Sequence, residues 1–349
     1  MRKTTRREAL WLSGCFFAGA LLLSFPMPEI CRANVLEIPL RGIYVPGWKG
    51  VNKSRIDTLR AFLVQNHLNT LMIDLKNAHG ELFYRPASAL AKRIGAQVTT
   101  REGQIRFLDM DYLLQAAKKY NFRLIARHVL FVDSILYRNV PEYRLTRGRK
   151  QHWVDMVNQA VVDYNLELLD QEASLGFDEI VLDYVRFPDL PGFGSEKGRS
   201  DTIDAIVQSV KAVLKGTKIK LGIQIFGYSA WDHHRSNVGQ RIESLQFHTD
   251  SIYPMLYPSH FFAGSLGFSN PNRHPFEIIG QGYQAALSKI ETDCTIIPMI
   301  QGFSYSAEDI RQQILAVQKH HMPGFVSWNP SGDQRRLAQA MKKMQDLAE

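Results

Sequence analysis

The chain has 349 residues, 42 Lys and Arg against 34 Asp and Glu, and 45% apolar side chains. With 22% charged and 11% aromatic residues it is neither disordered nor of low complexity. No apolar run beyond the N-terminus approaches the roughly 20 residues that cross a bilayer, which excludes a polytopic membrane protein.

The first predicted element is a leader. Arg2, Lys3, Arg6 and Arg7 precede an apolar stretch at 9–25, and Cys31-Arg32-Ala33 places small residues at the −3 and −1 positions of a cleavage site. This pattern predicts a secretory signal peptide over 1–33 and an exported protein, periplasmic or extracellular. Arg6-Arg7 adds a faint likeness to a twin-arginine signal. Leu12-Ser13-Gly14-Cys15 looks like a lipoprotein box, but most of the apolar stretch follows it. If the segment stays uncleaved, it is the expected membrane contact. Its removal takes five basic and two acidic side chains and two of three cysteines, leaving a charge of +5 and Cys294 alone. Residues 34–349 thus have no internal disulfide. Their mild charge, without a basic stripe or a nucleic-acid motif, points away from nucleic acid as a partner.

Eight strand-length apolar runs follow: 40–45, 70–75, 123–129, 179–184, 220–226, 251–256, 295–300 and 324–328. LMIDL, IVLDYV and LGIQIF are aliphatic almost throughout, as parallel strands covered on both faces are. Helical patterns lie between the strands at 54–66, 110–120, 153–175 and 203–214, with Ser54 and Asp57 as a capping pair for the first. Eight βα units without a composition break predict an α/β fold over 34–349, a single (β/α)8 TIM barrel preceded by the signal peptide. The competing doubly wound sheet wants a glycine-rich phosphate turn after the first strand, which Pro46-Gly47-Trp48-Lys49-Gly50 does not supply. Residues 82–109 form a long excursion over the barrel top, where loops are commonly functional.

In a barrel, chemistry sits at the C-terminal strand ends. Those ends carry Asp74 and Lys76, Arg127, His128 and Asp133, Asp183, Tyr184 and Arg186, Tyr257 and His260, and Trp328 and Asn329. A carboxylate inside an aliphatic strand is costly to bury unless paired. Arg186 close behind, or Arg127 on the neighbouring strand, would hold Asp183 ionised. That suits a nucleophile or a stabiliser of oxocarbenium charge; the same residues also read as a structural pair fixing the barrel top. Asp74 beside Lys76 repeats the pattern. Trp48, Tyr184, Tyr228, Trp231, Tyr257 and Trp328 each read as core singly, but together at one rim they read as platforms for sugar rings. Arg127, Arg186, His260, Asn329 and Lys76 would then contact hydroxyls.

Other chemistries lack their residues. There is no HExxH, paired CxxC, GxSxG elbow or Walker loop, so no metal or cofactor is expected. His233-His234 and His320-His321 read as surface pairs. Cys294 precedes a strand, on the stability face, and is not expected to be a nucleophile.

At these residues the sequence resembles the bacterial glycoside hydrolase-like family called domain of unknown function 4015. The matching segments are RGIYVPGW (41–48), NTLMIDLKNAHGEL (69–82), FRLIARHVLFVD (122–133), GFDEIVLDYVRFP (176–188), IQIFGYSAWD (223–232), SIYPMLYPSHF (251–261) and GFVSWNP (324–330). DYVRFP and MLYPSH are the most specific. The resemblance implies a TIM barrel related to retaining glycosidases, with Asp183 as catalytic carboxylate after strand four. Two departures bear on a general acid: Asn77-Ala78 and Gln224 stand where the family often has acidic residues. The acid is then left among Asp74, Asp133, Asp232 and Glu102. The expected function is hydrolysis of an envelope or extracellular polysaccharide or oligosaccharide. The alternatives are a non-catalytic polysaccharide-binding barrel that lost its acid at Gln224, and an envelope scaffold for protein partners.

Overall fold

A computed structural model describes residues 39–99, 103–146, 151–231 and 237–345. The expected signal at 1–33, Glu102, Asp232 and His233-His234 lie outside the described residues.

Strands β1 (Leu40–Val45), β2 (Thr70–Lys76), β3 (Arg123–Val129), β4 (Glu179–Asp183), β5 (Lys220–Ile225) and β6 (Ser251–Pro254) pair in chain order, each parallel to the last. Next come β7 (Thr295–Ile296), β8 (Met299–Gln301) and β9 (Gly324–Trp328), with β7 on β6, β8 on β9 and β9 on β1. The result is one curled, wholly parallel sheet in the order β7-β6-β5-β4-β3-β2-β1-β9-β8. Its two ends belong to one short segment, 295–301. The expected seventh strand is split there because Pro298 has no N–H to give to a ladder. The Pro298 carbonyl still accepts from Val326 N–H (3.1 Å), and a parallel bridge joins Met255 to Met299.

The helices are α1 (Lys53–Gln65), α2 (Ala89–Arg93), α3 (Met110–Tyr120), α4 (Ser134–Asn139), α5 (Gln159–Glu172), α6 (Glu196–Val213), α7 (Ile242–Leu245), α8 (Pro275–Leu287), α9 (Ala307–Lys319) and α10 (Arg335–Gln345). Three expected boundaries move for local reasons. Asn52, not Ser54, caps α1 by accepting from Arg55 N–H, while Asp57 accepts from the Tyr112 hydroxyl. The predicted helix at 153–175 starts six residues late. Trp153 and Val154 are held in bridges to Val132 and Arg144, and Asn158 then caps α5. Helix α6 starts earlier than predicted, at a Ser195 cap, because Gly198 in its first turn masks the helical pattern. The 82–109 excursion contains α2 and short bridges.

Side chains alternate along each strand, and this divides the core in two. Tyr44, Met72, Ile125, Val181, Tyr253 and Val326 pack with one another inside the curl. Ile43, Leu71, Ile73, Leu75, Leu124, Ile180 and Leu182 pack outward with the helices.

Cys294, just before β7, is buried with its Sγ 3.7 Å from Thr249 Oγ1, and burial pushes its thiol up to about 11. The thiolate is the reactive form. Cys294 is therefore expected to remain unlabelled by a maleimide for minutes at pH 8 and to react once urea unfolds the chain, read by peptide mass spectrometry. Rapid labelling without denaturant would contradict the burial.

Candidate functional site

Two residues beyond the interior cluster, the same strand faces reach the C-terminal end of the sheet. Met72 leads to Asp74, Ile125 to Arg127, Val181 to Asp183, Tyr253 to Met255 and Val326 to Trp328. These five residues and Tyr44 line a cleft of about 730 Å³. The turns after the strands complete it with Trp48, Tyr184, Arg186, Tyr228, Tyr257 and His260, all named from the sequence, and with His79, Glu81, Phe226 and Phe261, which were not.

At its floor, Arg127 joins both strand carboxylates. Its Nη1 donates to Asp74 Oδ1 at 2.7 Å, while Nη2 and Nε donate to Asp183 Oδ2 at 2.5 and 3.0 Å. Burial works against the charge of Arg127, but Asp183 and Asp74 outweigh it and hold the guanidinium protonated. Arg186, the other expected partner, forms no ion pair with Asp183. Asp74 Oδ2 accepts from the Tyr44 hydroxyl at 2.8 Å. Burial raises Asp74 above the usual carboxylate range despite Arg127, Tyr44 and the Gly47 N–H. With both oxygens engaged from within the protein, Asp74 holds Arg127 in place. Asp183 Oδ1 accepts the Tyr184 N–H at 2.6 Å, in a turn where Tyr184 has φ +54°.

Aromatic rings make the walls. Tyr44 and Trp328 stack with centroids 3.8 Å apart, and the Arg127 guanidinium lies 4.9 Å from the Trp328 ring. Trp48 stands at the rim with 47% of its surface exposed. Tyr257 is buried, and burial with the nearby Asp183 charge keeps its hydroxyl protonated. Burial lowers the pKa of His260, which favours a neutral imidazole. Tyr228 lines the cleft but spends its hydroxyl on Ser265 and the Phe262 N–H, and Trp231 packs behind it.

Several expected residues lie elsewhere. Lys76 would follow Asp74 into the cleft if β2 stayed regular. However, Asp74 faces Arg127 and Lys76 faces His128, so β2 carries one extra residue, a bulge that turns Lys76 outward. There its Nζ is fully buried on Asp133 Oδ2 (3.0 Å), Asn165 Oδ1 (3.1 Å) and the Val129 carbonyl (2.8 Å). Asp133 is occupied by that pair and by capping α4. Asn329 turns back on the backbone of Gly302 and Asp333 and does not line the cleft. Gln224 packs its amide on Met72 Sδ (3.5 Å) in the interior, off the cleft.

Glu81 was missed because a turn has no periodicity to read. Asn77 builds that turn: its Oδ1 accepts the N–H groups of His79 and Glu81, and its Nδ2 donates to Glu81 Oε2 at 2.7 Å. Gly80 has φ +82° and lies so close to Asp133 Oδ1 that a Cβ would collide with it. The departure at Asn77 thus places a carboxyl four residues later. An acidic residue directly after an Asn-x-x-Gly turn at a strand end was the available signal.

A family model described as "Putative glycosyl hydrolase domain" matches residues 42–333. No protein of curated function matches. Among solved structures, the chain is similar to the glycoside hydrolase domain of PgaB (BpsB) from Bordetella bronchiseptica, with 11% identity, a TM-score of 0.63, and 87% of this chain and 99% of that one covered. It is also similar to the endo-β-1,4-mannanase from Thermotoga petrophila (14% identity, TM-score 0.58, 89% and 77% covered). A third is the spore cortex-lytic enzyme SleL from Bacillus megaterium QM B1551 (12%, 0.51, 89% and 75%). At these identities the likeness concerns the fold, a curled parallel sheet with outer helices resembling glycoside hydrolase barrels.

Proposed function

The chain belongs to the glycosyl hydrolase-like family known as domain of unknown function 4015, and from that premise we propose that it hydrolyses glycosidic bonds of an envelope or extracellular polysaccharide after export. The curled sheet is read here as a complete (β/α)8 barrel. The observation that carries the reading is that Asp183 and Glu81 stand, beside the fully engaged Asp74, in one aromatic-walled cleft. Glycoside hydrolysis takes two such groups in different roles. Asp183, with Oδ1 the less committed oxygen, serves as nucleophile or as base for water. Glu81, on the turn after β2, protonates the glycosidic oxygen as the C–O bond breaks, and water supplies the new hydroxyl. Arg127 orients Asp183, while Trp48, Trp328 and Tyr257 offer faces to the sugar rings.

The test is release of reducing ends from envelope and secreted polysaccharides by the wild type and by Glu81→Gln. Loss of a general acid is expected to cost about 10²–10⁴-fold, and less on an aryl glycoside whose leaving group needs no proton. Activity of Glu81→Gln within twofold of wild type on both substrates would remove Glu81 from the chemistry. A polysaccharide-binding barrel without turnover is the second reading. It is favoured by the engagement of Asp74 and Asp183 with Arg127, and it predicts retained binding with no release by either protein.

A further inference from the structure

We propose that this cleft selects glycans bearing an anionic group and that Arg186 reads it; the inference rests on the carbohydrate reading of the same cleft. Arg186 lines the cleft three residues after Asp183. Its guanidinium carbon lies 5.1 Å from the ring centroids of Trp153 and Tyr184 and 5.4 Å from that of Phe226. Of its five N–H donors, one hydrogen bond is made, from Nη1 to the Phe187 carbonyl at 3.2 Å. Among the described residues no Asp or Glu forms an ion pair with it. Of the two carboxylates whose charge reaches it, Asp183 is committed to Arg127 and Asp189 accepts from the Asn237 N–H.

This is an unusual condition for a half-buried cation. Arg127, which lines the same cleft, is matched by two carboxylates. Arg186 has lost much of its water and received aromatic faces in return. Those faces flank the group but offer its remaining N–H donors no hydrogen-bond acceptor. Burial also draws its pKa down, more than the charges of Asp183 and Asp189 raise it. A sugar hydroxyl can accept one hydrogen bond but leaves the charge unmatched. A carboxylate or sulfate on a sugar ring supplies paired oxygens and the missing negative charge together.

The experiment is calorimetric titration of the full chain with matched glycan pairs. One arm uses oligogalacturonate and oligomannuronate against their carboxyl-reduced counterparts; the other uses a sulfated galactan against its desulfated form. In at least one arm the anionic member is expected to bind about 10–100-fold tighter, the range for hydrogen bonds to a charged group. The preference should weaken with added salt. Arg186→Gln should erase it by weakening the anionic member far more than the neutral one. Arg186→Lys, which keeps the cation but not the planar fork, should retain part of it and serves if the Gln variant misfolds. Equal binding of both members in every arm, equal weakening of both by Arg186→Gln, or no binding to any anionic glycan overturns the proposal. Cleavage of a neutral polymer together with no preference for the anionic member in any arm sinks the anionic selection and leaves the hydrolase. Selective anionic binding with no new reducing ends does the reverse.

Discussion

Asp183→Asn is expected to reduce turnover by about 10³-fold or more, the scale for a group that attacks or activates the attacking water. Asn keeps the shape of the side chain and one oxygen to accept from Arg127 Nε or Nη2, but removes its charge. Because Asp74 still pairs with the guanidinium, the stability loss should stay below the roughly 3–5 kcal/mol of a broken buried pair. For a chain of this size that corresponds to a melting temperature lowered by no more than about 5 °C. Reducing-end release and a thermal melt on the same preparation separate the roles. Retained activity with a much lower melting temperature would make Asp183 a fastening of the sheet's C-terminal end rather than a reacting group.

Arg127→Met should have the largest effect on the fold itself. It strips the charge from between Asp74 and Asp183, leaving two buried carboxyl groups with no cation between them. The expected cost at pH 7–8 is about 3–5 kcal/mol. The pH dependence has a definite sign. Burial already raises Asp74 in the presence of Arg127, and without it the group loses its main opposing influence. A carboxyl whose pKa is higher folded than unfolded favours the folded state while protonated. Its stabilisation is complete below the unfolded value and is lost as pH rises through the folded one. The gap between variant and wild type should therefore narrow as pH falls toward 4–5 and widen toward 8. A gap that stays constant across that range would show that shape, not charge, is what Arg127 contributes.

The parts of this molecule that were legible in the sequence are those governed by repetition. Strands such as LMIDL and IVLD announce themselves because every residue is buried, on one side or the other of the sheet. The same alternation carries Asp74, Arg127 and Asp183 to one end of the interior. What escaped were departures from repetition. The bulge in β2 moves Lys76 to the outer face, and nothing in TLMIDLK marks where the extra residue falls. Asn329 sits at a strand end like Trp328 before it, but its short amide finds backbone carbonyls within its own turn. Tyr44 was hidden by being an unremarkable aromatic in β1, although its place on the inner face could have been counted. The choice between Arg127 and Arg186 as partner of Asp183 depended on the turn at Tyr184, whose positive φ redirects the chain between Asp183 and Arg186.

The pairing of β1 with β9 has a consequence for how the chain is made. Leu40 lies against Gly324, so β1 has one neighbour soon after synthesis, in β2, and waits for the chain as far as β9 to gain the other. Until then its outer edge is a row of open peptide groups beside an apolar face, the feature that invites pairing with another chain. Segment 295–301 cannot shield it alone, because β8 reaches β1 only through β9. Messages truncated before codon 324 would thus yield products with an open first strand. Seating β1 between β2 and β9 is then slow in the way of all long-range contacts.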